Sequence, residues 1–119
     1  MARHIEDNLQ ESCVSWFSLQ FPQYTQLLFH IPNGGYRNKL EAARFKRMGV
    51  RAGVADLMLC VPNREYHGLF IELKAGKGKQ SETQVAFQKS VTEVGYKYIV
   101  CRSIESFVFE LKEFLRHKT

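Results

Sequence analysis

The stretch GVADLMLCVPNREYHGLFIELKAGKGKQS, residues 53–81, contains two apolar runs that charged residues interrupt. DLMLCV and LFIEL have the composition of strands, and the connection PNREYHG suits an antiparallel hairpin. Asp56 begins the first run, Glu72 lies inside the second, and Lys74 follows it. Because alternate residues of a strand share a face, Glu72 and Lys74 point the same way, and the apolar residues between and beside them point to the core.

The three charged residues suggest one cluster. If the hairpin register sets Asp56 across from the Glu72 region, two carboxylates and the Lys74 ammonium meet. Unpaired buried charges are costly, so such a cluster is tolerated where charges neutralise one another or hold a cation. Mg²⁺ takes oxygen ligands and leaves positions for water and substrate phosphate, so the residues predict metal-dependent phosphodiester hydrolysis. The plainer alternative is a strand-end aspartate beside a Glu72–Lys74 ion pair on a wet sheet face.

Helices and strands alternate along the rest of the chain. Apolar spacing predicts a first helix over about 5–20, a strand at QLLFHI, and a second helix over about 39–48 that Gly49 closes. A third helix begins at Ser81 and ends at Gly95, YKYIVC is a further strand, and a last helix begins at Ser103. This order predicts an α/β fold in which helices flank a small mixed sheet. With 119 residues and 45% hydrophobic content, we expect one domain, 1–119.

Basic residues outnumber acidic ones by 17 to 12, which gives a net charge of +5. That balance favours a polyanionic partner, and two basic clusters bracket the hairpin. The turn PNGG adds glycines whose backbone can approach a phosphate closely. The predicted contacts with the phosphates of such a partner, which the family resemblance described below implies is DNA, are Asn33, Arg37, Lys46, Arg51, Lys77 and Lys79.

Composition also narrows the cellular setting. The sequence has no long apolar run and no signal-peptide pattern at its start, so we expect an intracellular, cytoplasmic protein without membrane contact. The odd number of cysteines and the absence of a CxxC pair predict that Cys13, Cys60 and Cys101 are reduced core residues. His30 and His67 are interpreted as histidines satisfied by local contacts rather than as catalytic groups.

The order Asp56, then Glu72-x-Lys74, resembles the PD-(D/E)xK nuclease motif. The surrounding sequence resembles the virus-type replication-repair nuclease (VRR-NUC) domain over most of the chain. One departure is Ala55, which stands where the family usually has a proline before the aspartate. The resemblance rests on four blocks, HIPNGG (30–35), GVRAGVADL (49–57), GLFIELKAGKGKQSETQ (68–84) and GYKYIVCRS (95–103).

The resemblance implies an Mg²⁺- or Mn²⁺-dependent DNA endonuclease with a restriction-endonuclease-like core. Stand-alone versions resemble phage proteins, which would act in the host-cell cytoplasm, and similar ones form homodimers that cut branched DNA such as four-way junctions. Two other functions stay open at this point. One is a nuclease for flapped, nicked or single-stranded DNA, and the other is a DNA-binding module that keeps the fold without catalysis.

The resemblance also implies a set of site residues. Asp56, Glu72 and the backbone carbonyl of Leu73 would bind the metal, and Lys74 would orient the attacking water or balance charge in the transition state. An acidic residue is expected from the first helix, where Glu6 and Glu11 are available. At 100° per residue, Glu6 falls at the edge of the apolar face and Glu11 on the opposite side, so we assign Glu6 as the outer ligand of the metal site.

Gln84 has two predicted roles. SETQ has the pattern of a capping box, with Ser81 as N-cap and Gln84 three residues later. The family pattern also makes Gln84 an active-site residue, and the two roles are compatible.

Overall fold

The computed structural model describes residues 2–32 and 38–117. Within these ranges the chain forms α1 (Ala2–Gln20), a 3-10 helix (Pro22–Leu27), β1 (Leu28–His30), α2 (Lys39–Arg47), β2 (Leu57–Leu59), β3 (Leu69–Leu73), α3 (Glu82–Glu93), β4 (Lys97–Cys101) and α4 (Ile104–Arg116). The predicted alternation is confirmed. The QLLFHI strand begins only at Leu28, because the 3-10 helix that starts at Pro22 extends through Leu27.

The four strands form one mixed sheet in the order β1-β2-β3-β4. β1 and β2 are antiparallel, as are β2 and β3, whereas β3 and β4 run parallel. A parallel pair needs a crossover connection, and α3 provides it. All five residues of β3 are buried, so both faces of this central strand are covered. The predicted α/β sheet flanked by helices is therefore present.

One face of the sheet packs against α1 and α4. Phe17 of α1 and Phe107 of α4 are fully buried and join the core cluster with Leu57, Ile71 and Leu73. α3 covers the other face, where the Phe87 ring meets the Phe70 ring edge-on at 5.1 Å between centroids. Glu72 belongs to this second face, so α3 helps to remove it from solvent.

Two sequence expectations about burial are wrong. Cys13 and Cys101 are buried free thiols, as predicted, but Cys60 is exposed. The strand alternation continues past β2, so Leu59 and Val61 point inward and Cys60 points outward. Ile5, which the apolar spacing of the first helix places on its inner face, is 58% exposed.

Glycines shape the approach to β2. Gly49 has φ of +106° and ends α2 as predicted. Gly53 has φ of +85°, and a Cβ at this position would overlap the backbone carbonyl of Thr83. The segment before Asp56 therefore lies directly against the first turn of α3.

Among the described helices, none is both long and apolar enough to cross a membrane.

Candidate active site

The β2–β3 hairpin places Asp56 and Glu72 together. Leu57 pairs with Ile71 across the two strands, so the next residues outward, Asp56 and Glu72, lie opposite each other at one end of the sheet. The Asp56 carboxylate oxygen Oδ2 accepts a hydrogen bond of 2.7 Å from the Leu73 backbone N–H. The hairpin therefore has the register that brings Asp56 across from Glu72.

Glu72 is the most enclosed charged group of this cluster, with an exposed fraction of 2%. Its Oε2 lies 3.4 Å from Lys74 Nζ and accepts a hydrogen bond of 2.7 Å from Gln84 Nε2. Its Oε1 is buried and, within the part of the chain that the structure describes, has no hydrogen-bond partner. The Glu72–Lys74 ion pair of the plainer alternative is present, but a wet sheet face is wrong, because the two side chains are only 3% and 13% exposed.

The electrostatics of the two carboxyl groups follow from this burial. Desolvation, followed by the charge of Asp56, raises the pKa of the Glu72 carboxyl from 4.5 to about 7 against the opposing Lys74 ammonium. Burial also raises the pKa of Asp56, although the Leu73 N–H bond and the charge of His30 lower it. A nearby cation would favour ionisation of both groups. The orphaned oxygen and the raised pKa values therefore fit a bound divalent metal.

Glu6 reaches the same end of the sheet from α1. Its Oε2 accepts a hydrogen bond of 3.0 Å from the Ala75 backbone N–H, whereas Glu11 is exposed. The prediction that Glu6 faces the sheet is confirmed. Among the described residues, however, no three His, Cys, Asp or Glu side chains form a group suited to a metal ion. Glu6 therefore does not join Asp56 and Glu72 as a third preformed ligand.

Gln84 fills both of its predicted positions at once. Its Oε1 accepts a hydrogen bond of 2.8 Å from the Ser81 backbone N–H, and the Gln84 backbone N–H donates to Ser81 Oγ at 3.2 Å. This reciprocal pair is the capping box of α3. Because the amide uses its oxygen for the cap, its Nε2 is directed to Glu72. The N-cap geometry thus fixes which end of the amide faces the carboxylate.

The predicted DNA-contacting residues lie at the surface where they are described. Lys46, Arg51, Lys77 and Lys79 are exposed. Arg51 Nη1 donates to the Lys46 carbonyl at 2.9 Å, which links two of these residues at the end of α2. Asn33 and Arg37 lie outside the described residues.

Two groups near the cluster were not assigned to the site by the sequence analysis. His30 Nδ1 lies 2.8 Å from the Asp56 carbonyl oxygen, so the histidine of β1 is placed beside the aspartate. Tyr98 of β4 has a pKa raised to about 12, first by burial and then by the charge of Glu72. The alternation in YKYIVC puts Tyr98 and Val100 on one face, but only the β3–β4 pairing, which sets Val100 beside Glu72, brings that face to the site.

Comparison with known proteins agrees with this geometry. The sequence profile of the VRR-NUC domain matches residues 4–105. The chain belongs to the VRR-NUC family. A solved structure described as a VRR_NUC domain protein superposes with a TM-score of 0.82 and 28% identity, covering 94% of this chain and 88% of that one. Among curated proteins, no sequence matches this chain.

Membership in the VRR-NUC family identifies the fold and the type of enzyme, a nuclease of the PD-(D/E)xK type. The VRR-NUC match includes Asp56, Glu72 and Lys74, the residues of the motif. Ala55, where the proline of the family pattern is missing, is fully buried. With alanine in place of the proline, the Asp56 carboxylate still accepts a hydrogen bond from the Leu73 N–H.

Proposed function

We propose that this protein is a divalent-metal-dependent DNA endonuclease that acts as a homodimer on branched DNA such as four-way junctions. The observation that supports hydrolysis best is Glu72 Oε1, a buried carboxylate oxygen that lacks a hydrogen-bond partner among the described residues. It lies in a cluster with Asp56 and Lys74. A structural ion pair would leave this oxygen at a cost, whereas a metal-binding carboxylate uses it.

Mg²⁺ or Mn²⁺ would be held by the Asp56 and Glu72 carboxylates and the Leu73 backbone carbonyl. Glu6 would contribute through a water molecule, because its carboxylate already accepts from Ala75. Mg²⁺ sites commonly use one or two carboxylates and keep several waters, which fits two side-chain ligands. When bound, the metal lowers the pKa of a coordinated water and stabilises negative charge on the phosphoryl group.

The remaining residues of the cluster orient these groups and the substrate. Gln84 holds Oε2 of Glu72 by a hydrogen bond, which would leave Oε1 for the metal. The Leu73 N–H holds Asp56 in the same way. Lys74 is 13% exposed, so its ammonium can meet solvent and substrate on one side. There it would donate to the attacking water or to a phosphate oxygen.

DNA would be held by the exposed basic residues near this end of the sheet. Lys77 and Lys79 follow directly after the motif lysine, and Lys46 and Arg51 lie at the end of α2. Asn33 and Arg37 stay predictions of the same contact. Phosphate contacts of this kind release counterions, so we expect affinity to fall steeply with salt concentration.

The preference for branched DNA depends on the homodimer. A two-fold symmetric dimer presents two identical active sites, which match paired incisions in the symmetric strands of a four-way junction. A monomeric enzyme would present one site and would fit a flap, a nick or a single strand equally well.

A panel of labelled DNA substrates tests this proposal. We expect the wild type with Mg²⁺ or Mn²⁺ to cut a four-way junction in preference to flapped, nicked, linear and single-stranded DNA. Asp56→Asn should abolish cleavage, and Lys74→Ala should reduce it by about 100- to 1000-fold, while both variants still bind. Lys97→Ala serves as the control, because this lysine lies at the other end of β4, opposite Leu69.

Each of the other outcomes has a definite meaning. Undiminished cleavage by both Asp56→Asn and Lys74→Ala would contradict the active site. Preferential cutting of flaps or nicks would identify those structures, rather than the four-way junction, as the substrate. Binding of every DNA without cleavage in either metal would establish a non-catalytic module.

A further inference from the structure

Arg102 holds the loop that carries the two lysines after the motif. This basic loop, residues 75–79, connects β3 to the segment before α3. Arg102 Nη1 donates to the Gly76 carbonyl oxygen at 3.0 Å and to the Gly78 carbonyl oxygen at 2.7 Å. One guanidinium nitrogen therefore bridges the carbonyl groups of the two glycines that flank Lys77.

The basic loop itself is a tight turn. The Gly78 N–H donates to the Ala75 carbonyl at 2.9 Å, and Gly76 has φ of +52°. Two glycines in five residues give this segment many alternative conformations when nothing holds it. Glu6 fixes the loop at the Ala75 N–H, whereas the carbonyl groups of the centre are held by Arg102. The conformation around Lys77 therefore depends on an arginine that directly follows β4.

The charge of Arg102 suits a surface that meets an anion. Among the described residues, its hydrogen-bond acceptors are carbonyl oxygens, and no carboxylate lies within ion-pair distance of it. The hydrogen bonds are charge-assisted, which makes them stronger than those of a neutral donor. The guanidinium thus orders the loop while leaving the positive charge of the surface undiminished.

We propose that Arg102 is a positioning residue for DNA binding, which fixes the basic loop so that Lys77 and Lys79 meet the DNA backbone in a preset arrangement. This inference rests on the proposed nuclease function. A loop that is ordered before binding loses less conformational freedom on binding, and the gain appears as affinity. Arg102 acts through the two lysines and needs no contact with a phosphate of its own.

The test is a double-mutant cycle on DNA affinity. Binding of a fluorescein-labelled four-way junction is measured in the Asp56→Asn background, so that the DNA stays intact. We expect Arg102→Met to weaken binding by about ten-fold when Lys77 and Lys79 are present. In a Lys77→Ala/Lys79→Ala background, Arg102→Met should weaken binding by less than about two-fold, because the two lysines through which Arg102 acts are absent. Arg116→Met, at the other end of α4 from Arg102, is the matched control and should leave affinity unchanged.

Two further measurements separate positioning from other roles. Hydrogen exchange in peptides covering residues 75–80 should accelerate in Arg102→Met, with little change elsewhere. The slope of log affinity against log salt should be unchanged, whereas loss of a direct phosphate contact would reduce it by about 0.9. An equal loss of affinity in both backgrounds, no loss at all, or a reduced slope would overturn the proposal. Failure of the nuclease function is a separate result, namely that the wild type cuts none of the DNA substrates with either metal.

Discussion

Replacement of Glu72 by glutamine should make the stability of the metal-free protein less dependent on pH between pH 5 and pH 8. The folded structure raises the pKa of Glu72 from 4.5 to about 7, so folding favours the protonated carboxyl. The stability that this group contributes is complete below the unfolded pKa and is lost as the pH rises through the folded pKa. Since one pKa unit is worth about 1.4 kcal/mol, the wild type should lose about 2–3 kcal/mol of unfolding free energy between pH 5 and pH 8 through this group.

Glu72→Gln removes that ionisation while keeping the size of the side chain and an acceptor for Gln84. We therefore expect the unfolding free energy of the variant, relative to the wild type, to increase by about 2–3 kcal/mol from pH 5 to pH 8. Lys74 loses its ion-pair partner in the variant, which lowers the stability of the variant without producing the same rise across this pH range.

Urea unfolding at pH 5, 6, 7 and 8 in EDTA measures the difference directly. Glu65→Gln is the control, because Glu65 is an exposed carboxylate in the hairpin connection. A difference between Glu72→Gln and wild type that stays constant with pH would refute the argument from burial. Addition of Mg²⁺ should then stabilise the wild type more than Glu72→Gln, since a ligand that binds only the folded state adds its binding free energy to stability.

Other predictions concern the cap, the turn and the assembly. Gln84→Glu keeps the capping box but replaces the donor to Glu72 by a second carboxylate. Cleavage should therefore fall by about ten-fold or more, while the helix content measured by circular dichroism stays unchanged. Unchanged cleavage would mean that the Gln84–Glu72 bond is dispensable. Gly53→Ala should lower the unfolding free energy by at least about 1 kcal/mol more than Gly49→Ala. Of these two positions, only Gly53 would bring the new Cβ into overlap with Thr83. Equal losses of unfolding free energy in urea would show that the segment around Gly53 shifts freely. Sedimentation at micromolar concentration should show a species of twice 13.8 kDa, and a single species near 13.8 kDa would exclude the homodimer.

The local chemistry of the chain was sufficient to predict several features of the site. The Ser81–Gln84 capping box follows from residue types at fixed spacing, and the structure contains it. The inward direction of Glu6 follows from its angle on a regular helix, and in the structure Glu6 accepts a hydrogen bond from the Ala75 backbone N–H. In each case the predicted feature is set within one helical turn or one helix face, where sequence spacing and spatial distance are nearly the same quantity.

Burial was predicted less well where the extent of an element decides it. The helical pattern places Ile5 on the apolar face of α1, but the side chain is exposed. An apolar neighbourhood in the sequence suggested that Cys60 is buried, although the continued alternation beyond β2 turns it outward. Periodicity gives the direction of a side chain, whereas burial also requires a second element in that direction.

The sequence by itself determined the α/β class, the hairpin and the presence of Asp56, Glu72 and Lys74 on its charged side. These features arise from strand alternation and turn composition, which act between neighbours along the chain. Only the tertiary structure decided that α3 would cover Glu72 and leave one of its oxygens without a partner among the described residues. The same holds for the two hydrogen bonds by which Arg102 holds the basic loop. Both depend on contacts between elements that are distant in sequence, and such contacts are set by how the elements pack together.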